Sequence, residues 1–250
     1  MIFKEIFKRY NQKVLNFDKL PFQTDIHSHI LPGIDDGSPD IETSIILLKG
    51  LSALGIKKMI ATPHVIADLY RNTPEIIMGA LAKLKVACVD ENIDIEIEAA
   101  AEYMIDDSFI QMLAEGNQLL TIYDNLILTE QSFNSVADNL HEIAFSLLTN
   151  GYRPVLAHPE RYEYYHNNYK NYGLLKEMGF LLQINVLSLT GYYGKSVAKV
   201  TEYLFENNLV DLVGTDLHHF RHLEMLNKKE NLQLIKKYIG NKNFNQLNNI

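Results

Sequence analysis

Short runs of apolar residues recur along the 250-residue chain, each followed by a longer stretch in which apolar positions return every three or four residues. The short runs have the length and residue types of buried strands, and the longer ones have the period of helices packed by one face. The pattern predicts a strand at "FQTDIH" (22–27) before a helix over 40–55, and a strand at 57–63 before a helix over 73–92. Strands at 93–103, 125–133 and 153–159 precede helices over 106–116, 135–151 and 172–179. Strands at 180–186 and 210–216 precede helices over 195–208 and 227–240. Strands that alternate with helices in this way predict an α/β fold with a mostly parallel sheet. A doubly wound sheet and a barrel both fit the alternation, because each uses short, hydrophobic strands. No Ser- or Pro-rich linker, low-complexity tract or repeat interrupts the chain, so one domain over 1–250 is expected.

Ahead of the first strand, Phe3, Ile6, Phe7, Tyr10 and Val14 alternate with Lys4, Lys8, Arg9 and Lys13. This is the pattern of a basic amphipathic helix, packed on its own domain or, alternatively, lying on a membrane surface. The segment lacks the apolar block and small-residue cleavage site of a secretory signal. No run approaches the roughly 18–20 apolar residues of a membrane span, so no stable membrane insertion is expected. Cys88 is the single cysteine and has no partner for an internal disulfide, which fits a reducing compartment. A cytoplasmic location is expected.

Composition narrows the partners. Hydrophobic residues make up 47% and charged residues 22%, ordinary values for a globular protein. The net charge of -8 argues against nucleic acid, whose phosphates call for a basic excess. One local basic pocket would still suffice for a single phosphate.

The chemistry-bearing residues stand out by position. "TDIHSHILPGIDDGSPD" (24–40) carries His27 and His29 at the end of the first strand, with Asp35 and Asp36 soon after. His64 follows the second strand, Glu102 ends the third, Glu130 the fourth and His158 the fifth, while Asp216 and His218 end the seventh. In a parallel barrel those strand ends converge on one face around one cavity. Imidazoles and acids crowded there without counter-charge raise one another's electrostatic cost, and divalent cations remove it. Imidazole with carboxylate suits zinc, iron or manganese, and no thiolate cluster is present. His27 and His29, two apart on an extended segment, point to the same side and are placed to share one ion. Asp35 is read as shaping the turn between Gly33 and Gly37, and Asp25 as orienting a ligand from behind. His141, His166, His219 and His222 are read as surface, packing or loop residues.

With these residues in view, the chain resembles the PHP (polymerase and histidinol phosphatase) superfamily. It is most similar to the manganese-dependent bacterial protein-tyrosine phosphatases of capsule and exopolysaccharide loci. The matching segments are "DIHSHILPGIDDG", "ATPH", "AAAEY", "LILTE", "VLAHPERY" and "GTDLH", in that order between residues 25 and 218. The resemblance implies a distorted (β/α)7 TIM-like barrel of the PHP type holding three divalent metal ions, manganese by expectation, with iron or zinc as alternatives. It assigns one ion to His27, His29, Glu102 and Asp216. A second goes to Glu102, Glu130 and His158, with Glu102 bridging, and a third to Asp36, His64 and His218. Arg161 in "HPERY" matches the family's phosphate-binding arginine. A second arginine is expected after the last metal histidine, where Arg221 is the candidate. Arg71, beside Tyr70, is a further candidate on another loop over the same face. Residues 1–20 precede the usual family start and are assigned no role.

The implied activity is hydrolysis of protein phosphotyrosine by a metal-activated hydroxide, with Arg161 and the metals stabilising charge on the phosphoryl oxygens. His218 is a candidate to protonate the leaving group, and Tyr192 or Tyr193 to flank an aromatic substrate. The implied partner is the tyrosine-rich tail of a membrane-bound bacterial tyrosine kinase that controls polysaccharide synthesis and export. A small-molecule phosphatase of the histidinol-phosphatase type is the alternative enzyme. A non-catalytic module docking a phosphorylated partner is the alternative of another class, and a nuclease is disfavoured by net charge. A cysteine mechanism is set aside, because the position six residues after Cys88 holds Asp94 rather than the required arginine. Cys88 is expected in the core.

Overall fold

Short parallel strands form the centre of the computed structural model, which describes residues 18–246. They are β1 (Thr24–Asp25), β2 (Lys58–Ala61), β3 (His64–Val65), β4 (Glu96–Ala99), β5 (Glu102–Met104), β6 (Leu126–Glu130), β7 (Arg153–Ala157), β8 (Leu181–Asn185) and β9 (Leu212–Gly214). One sheet has the order β1-β2-β4 and the other β3-β5-β6-β7-β8-β9. β2 and β3 are two halves of one stave, broken at Thr62–Pro63, and β4 and β5 are halves of the next, broken at Ala100–Ala101. Hydrogen bonds from Ala100 N–H to the Ala61 carbonyl (2.8 Å) and from Glu102 N–H to the Pro63 carbonyl (3.0 Å) carry the pairing across both breaks. The nine strands therefore make seven staves in chain order.

The two outer staves also meet. Asp216 N–H donates to the His27 carbonyl (2.8 Å) and His29 N–H to the Leu217 carbonyl (2.9 Å), with Ser28 and Leu217 in a parallel bridge. The result is a distorted (β/α)7 barrel whose seam closes at the carboxyl ends of its first and last staves. The expected strands at 57–63 and 93–103 are each broken, in one case at Pro63. Pro has no N–H to donate to a ladder.

The outer layer comprises α1 (Ile41–Ala53), α2 (Pro74–Asp90), α3 (Asp107–Ala114), α4 (Leu140–Thr149), α5 (Lys170–Glu177), α6 (Lys195–Glu206), α7 (Phe220–Leu226) and α8 (Lys229–Ile239). Asp40, Thr73 and Asp106 cap the first three by accepting N–H groups of Thr43, Ile76 and Phe109. Helix α7 lies where a loop is expected. His219 caps it by accepting the His222 N–H, and Leu223 and Leu226 bury its inner face. Cys88 is buried on α2, as expected. The predicted amphipathic segment before residue 18 falls outside the described residues. Among the described residues, no helix is long and apolar enough to cross a membrane.

Side chains alternate along each stave, and the alternation divides the core. Met59, Ala61, Ile127, Leu156, Leu182 and Val213 face the helices in one large apolar cluster. Ile26, Ile60, Ala100, Leu126, Leu128, Val155, Ala157 and Leu212 form a second, smaller cluster, which fills the ring as its floor. Toward the carboxyl ends the same inward columns turn polar. Thr62 and His64 succeed Ile60, Glu102 succeeds Ala100, Glu130 succeeds Leu128, and Asp216 follows Gly214 above Leu212.

Candidate metal centre

Glu102 stands in the middle of this polar rim, fully buried. His27 Nε2 lies 3.3 Å and His29 Nε2 3.4 Å from its Oε2, with His64 Nδ1 at 3.1 Å; His158 Nε2 is 3.1 Å from its Oε1. Neither carboxylate oxygen has a hydrogen-bond partner, because none of these close contacts has the required alignment. Glu130 Oε1 is likewise buried without a hydrogen bond, 2.8 Å from His64 Nδ1. Buried polar atoms are almost always hydrogen-bonded, so lone pairs converging without protons between them mark places for cations.

The donor atoms fall into groups that lie within 4.8 Å of one another: His27, His29 and Asp216; His27, Glu102 and His158; His64, Glu102 and Glu130; and His29, Asp36, His64 and His218. All nine residues expected as ligands are thereby brought to one rim. The groups overlap the expected sets and differ from them in three ways: His29 also joins Asp36, His64 and His218, His27 also joins Glu102 and His158, and His64 reaches toward Glu130 as well as Asp36, whose Oδ1 is 3.5 Å from its Nε2.

Neighbouring acceptors fix which nitrogen of three of the imidazoles is free. His27 Nδ1 is 2.6 Å from Gln183 Oε1, and His29 Nδ1 is 2.8 Å from Asp35 Oδ2. His218 Nδ1 is 2.9 Å from the Asp216 carbonyl. In each case an acceptor takes the Nδ1 proton and leaves Nε2 as the donor for an ion. Gln183 in turn donates to Asn185 Oδ1 (3.1 Å), and Asn185 Nδ2 donates to Asp216 Oδ2 (2.6 Å). A buried chain of amides therefore joins His27 to Asp216, and Asp216 keeps Oδ1 toward the histidines. Asp35 shapes its turn as expected, accepting the Gly37 N–H (3.0 Å), and it also receives the His64 N–H (3.2 Å). Asp25 accepts the Thr215 N–H (3.0 Å) and hydroxyl, bracing the residue before Asp216.

Two glycines are required by close approach. A Cβ on Gly37 would come within 2.0 Å of the His29 carbonyl oxygen, and one on Gly214 within 2.7 Å of the His27 Cβ. His158 and Asp216 themselves sit at φ 36° and 51°, in the left-handed region that side chains other than glycine rarely adopt.

Without cations, the field of the rim draws in protons. Burial opposes a charged His27, but the Glu102 and Asp216 carboxylates outweigh it and push the imidazole up to about 9. His29 is raised for the same reason, with Asp35 as its strongest partner after burial. Burial would raise Glu102, yet His27 and His64 hold it well below the usual carboxylate range. Glu130 is raised, by burial and then by the Glu102 charge. His158 is pushed down to about 4, chiefly by burial, and so keeps a neutral ring with a lone pair to offer.

Above the rim lies a cavity of about 300 Å³ lined by Asp36, His64, Glu130, His158, Asp216 and His218 below and by Phe133, Arg161, Tyr193, His219 and His222 around the mouth. Arg161 follows His158 on the 3-10 turn Pro159–Arg161. Its Nη1 donates to Asp216 Oδ2 (2.9 Å), and its guanidinium lies over the rings of Phe133 (4.9 Å) and Tyr193 (4.4 Å). Arg221 is elsewhere. It is exposed on α7 with its guanidinium 5.6 Å from the Tyr192 ring, and it does not line the cavity. The unexpected helix α7 turns it away. Arg71 is also exposed, donating to the Ala67 carbonyl, while Tyr70 stacks on His64 at 5.7 Å.

His219 and His222, read from sequence as loop residues, are the cap and a buried member of α7. His222 Nδ1 accepts the His218 N–H (3.2 Å), which steadies an expected ligand. Gln183 and Asn185 were missed as contributors, although "LLQINV" holds the signal: two amides at period two inside an apolar strand. Phe133 carries no such mark.

A family described as capsular polysaccharide synthesis, CpsB/CapC, matches residues 23–249. Tyrosine-protein phosphatase YwqE of Bacillus subtilis is 34% identical over 217 residues, 86% of this chain and 85% of YwqE. Tyrosine-protein phosphatase CpsB of Streptococcus pneumoniae is 29% identical over 201 residues, 78% of this chain and 82% of CpsB. Among solved structures, one from a study of YwqE and CpsB as metal-dependent tyrosine phosphatases superposes with a TM-score of 0.77 at 32% identity, covering 90% of this chain and 89% of the other.

Proposed function

The chain belongs to the CpsB/CapC family of capsular polysaccharide synthesis proteins, and from that premise we propose that it is a metal-dependent phosphatase of protein phosphotyrosine. The observation that carries this reading is Glu102, ringed by four imidazoles within 3.4 Å and hydrogen-bonded to none, two of which, His64 and His158, line a cavity together with Arg161.

Three divalent ions, manganese first and iron or zinc as alternatives, would be held by His27, His29, Glu102 and Asp216, by Glu102, Glu130 and His158, and by Asp36, His64 and His218. Such ions, when bound, supply Lewis acidity and a nucleophile at neutral pH. The protein residues do the rest. Arg161 presents a guanidinium to the phosphoryl oxygens, pre-oriented by Asp216 and by two aromatic faces. Asp36, half exposed at the cavity edge, leaves room for a substrate to approach. His218 has Nδ1 occupied by the Asp216 carbonyl, so if Nε2 holds an ion no nitrogen remains to carry a proton to the leaving group. Phenolate departs without such help more readily than an alkoxide, and this favours a tyrosyl ester. Arg161 serves as the phosphate ligand without Arg221 or Arg71.

The enzyme acts as a single domain in the cytoplasm, and its substrate is the tyrosine-rich tail of a membrane-bound kinase that controls polysaccharide export. Turnover of a tyrosine-phosphorylated peptide and of histidinol phosphate, measured beside metal content before and after chelation, tests the reading. Metal-dependent turnover that favours the peptide is expected. Turnover surviving in metal-free protein refutes the metal role, and a preference for histidinol phosphate refutes the substrate.

A further inference from the structure

Phe133 is a large apolar ring left 46% exposed at the mouth of a polar cavity. It lies three residues beyond Glu130, just past the end of β6. Its ring is held from several sides. It stacks on His158 with centroids 5.7 Å apart and planes 19° from parallel, and it leans on Tyr162 at 5.4 Å. Tyr162 is itself fully buried, with its hydroxyl accepting the Gln131 N–H (2.9 Å). The Arg161 guanidinium lies 4.9 Å from the Phe133 centroid. Tyr193, whose ring lies 4.4 Å from the same guanidinium, is mostly covered, so Phe133 is the more exposed aromatic ring beside the arginine.

We propose that Phe133 is a specificity residue whose exposed ring packs against the aryl group of a phosphate ester held by Arg161, selecting aryl over alkyl phosphates. The inference rests on the phosphatase reading above. A phosphoryl group bound at Arg161 carries its ester substituent one bond further out, and a ring already within reach of the guanidinium is within reach of that substituent. A phenyl group gains an aromatic partner there, whereas a serine-type side chain has no ring to offer. Because His158, Tyr162 and Arg161 already hold Phe133, little freedom is lost when the substrate arrives.

Binding of phenylphosphonate and of methylphosphonate to the metal-loaded protein, followed by titration calorimetry, provides the test, since neither compound is hydrolysed. An aromatic pair contributes roughly two- to tenfold in affinity. The wild-type protein is expected to prefer phenylphosphonate by at least that factor. Phe133→Ala should erase that preference by lowering phenylphosphonate affinity more than methylphosphonate affinity, and Phe133→Tyr should restore it. An unchanged preference in Phe133→Ala overturns the proposal. Equal weakening of both phosphonates also overturns it, by showing that Phe133 only supports Arg161. Failure of both compounds to bind the wild-type protein removes the phosphatase reading, and the aryl contact with it.

Discussion

The floor and the rim of the barrel are built from the same staves, two to four residues apart along each, yet they answer to opposite physics. On the floor, Ile60, Ala100, Leu128 and Leu212 fill the ring with apolar atoms that need nothing further. On the rim, His64, Glu102, Glu130 and Asp216 bring charge into the same shielded space, and the oxygens of Glu102 find no hydrogen bond. Burial of the floor stabilises the fold by about 1.5–3 kcal/mol for each large side chain. Burial of the rim costs free energy until cations arrive. Stability and chemistry are thus stacked along one axis, and substitutions should separate them.

The largest separation is expected from His27 and His29 together. Changing both to Ala should abolish phosphatase turnover, a loss of at least about a thousandfold given what metal ions contribute to such reactions, while circular dichroism shows a folded barrel. Residual turnover near wild type would mean that the rim is not the working centre. Leu128→Ala should do the reverse, lowering unfolding free energy by about 2–5 kcal/mol and leaving turnover per folded molecule nearly intact. A large loss of turnover with stability unchanged would dissolve the distinction between the two layers.

Gln183 lies between them and should show intermediate behaviour. Gln183→Leu removes the acceptor that sets the His27 tautomer, and metal affinity should fall roughly 10–100-fold; competition with a chromogenic chelator measures it. The pH dependence of metal affinity sharpens the point. With His27 pushed up to about 9, the metal-free rim holds a proton at neutral pH that a cation must displace. Apparent affinity should therefore rise with pH between pH 6 and 8, by about tenfold per unit for each proton displaced. A flat profile would show that the rim binds no proton there. The smallest effect belongs to Cys88→Ser on α2, remote from both layers, which should leave turnover unchanged; a dead but metal-loaded variant would restore a thiol mechanism.

The rim could be read from sequence because its residues terminate apolar runs, so each strand announces its own polar end. "LILTE" and "VDLVGTD" are examples. Other parts had no such signature. Helix α7 is seven residues long and depends on a histidine cap, and its direction decided which arginine faces the cavity. Phe133 is an ordinary apolar residue in a loop, and only the neighbours that pin it give it meaning. The breaks at Thr62–Pro63 and Ala100–Ala101 fall inside runs that read as continuous strands in the sequence.

The bent backbone at His158 and Asp216 bears on any attempt to move this centre into another scaffold. At φ 36° and 51°, each residue stands in a conformation that costs of order 1–3 kcal/mol. An ordinary barrel strand grafted with the same side chains would relax to an extended course and swing both groups off target. A designer must therefore transplant the crooked main chain, together with the contacts that keep it crooked, before the imidazole and carboxylate will aim where they do here.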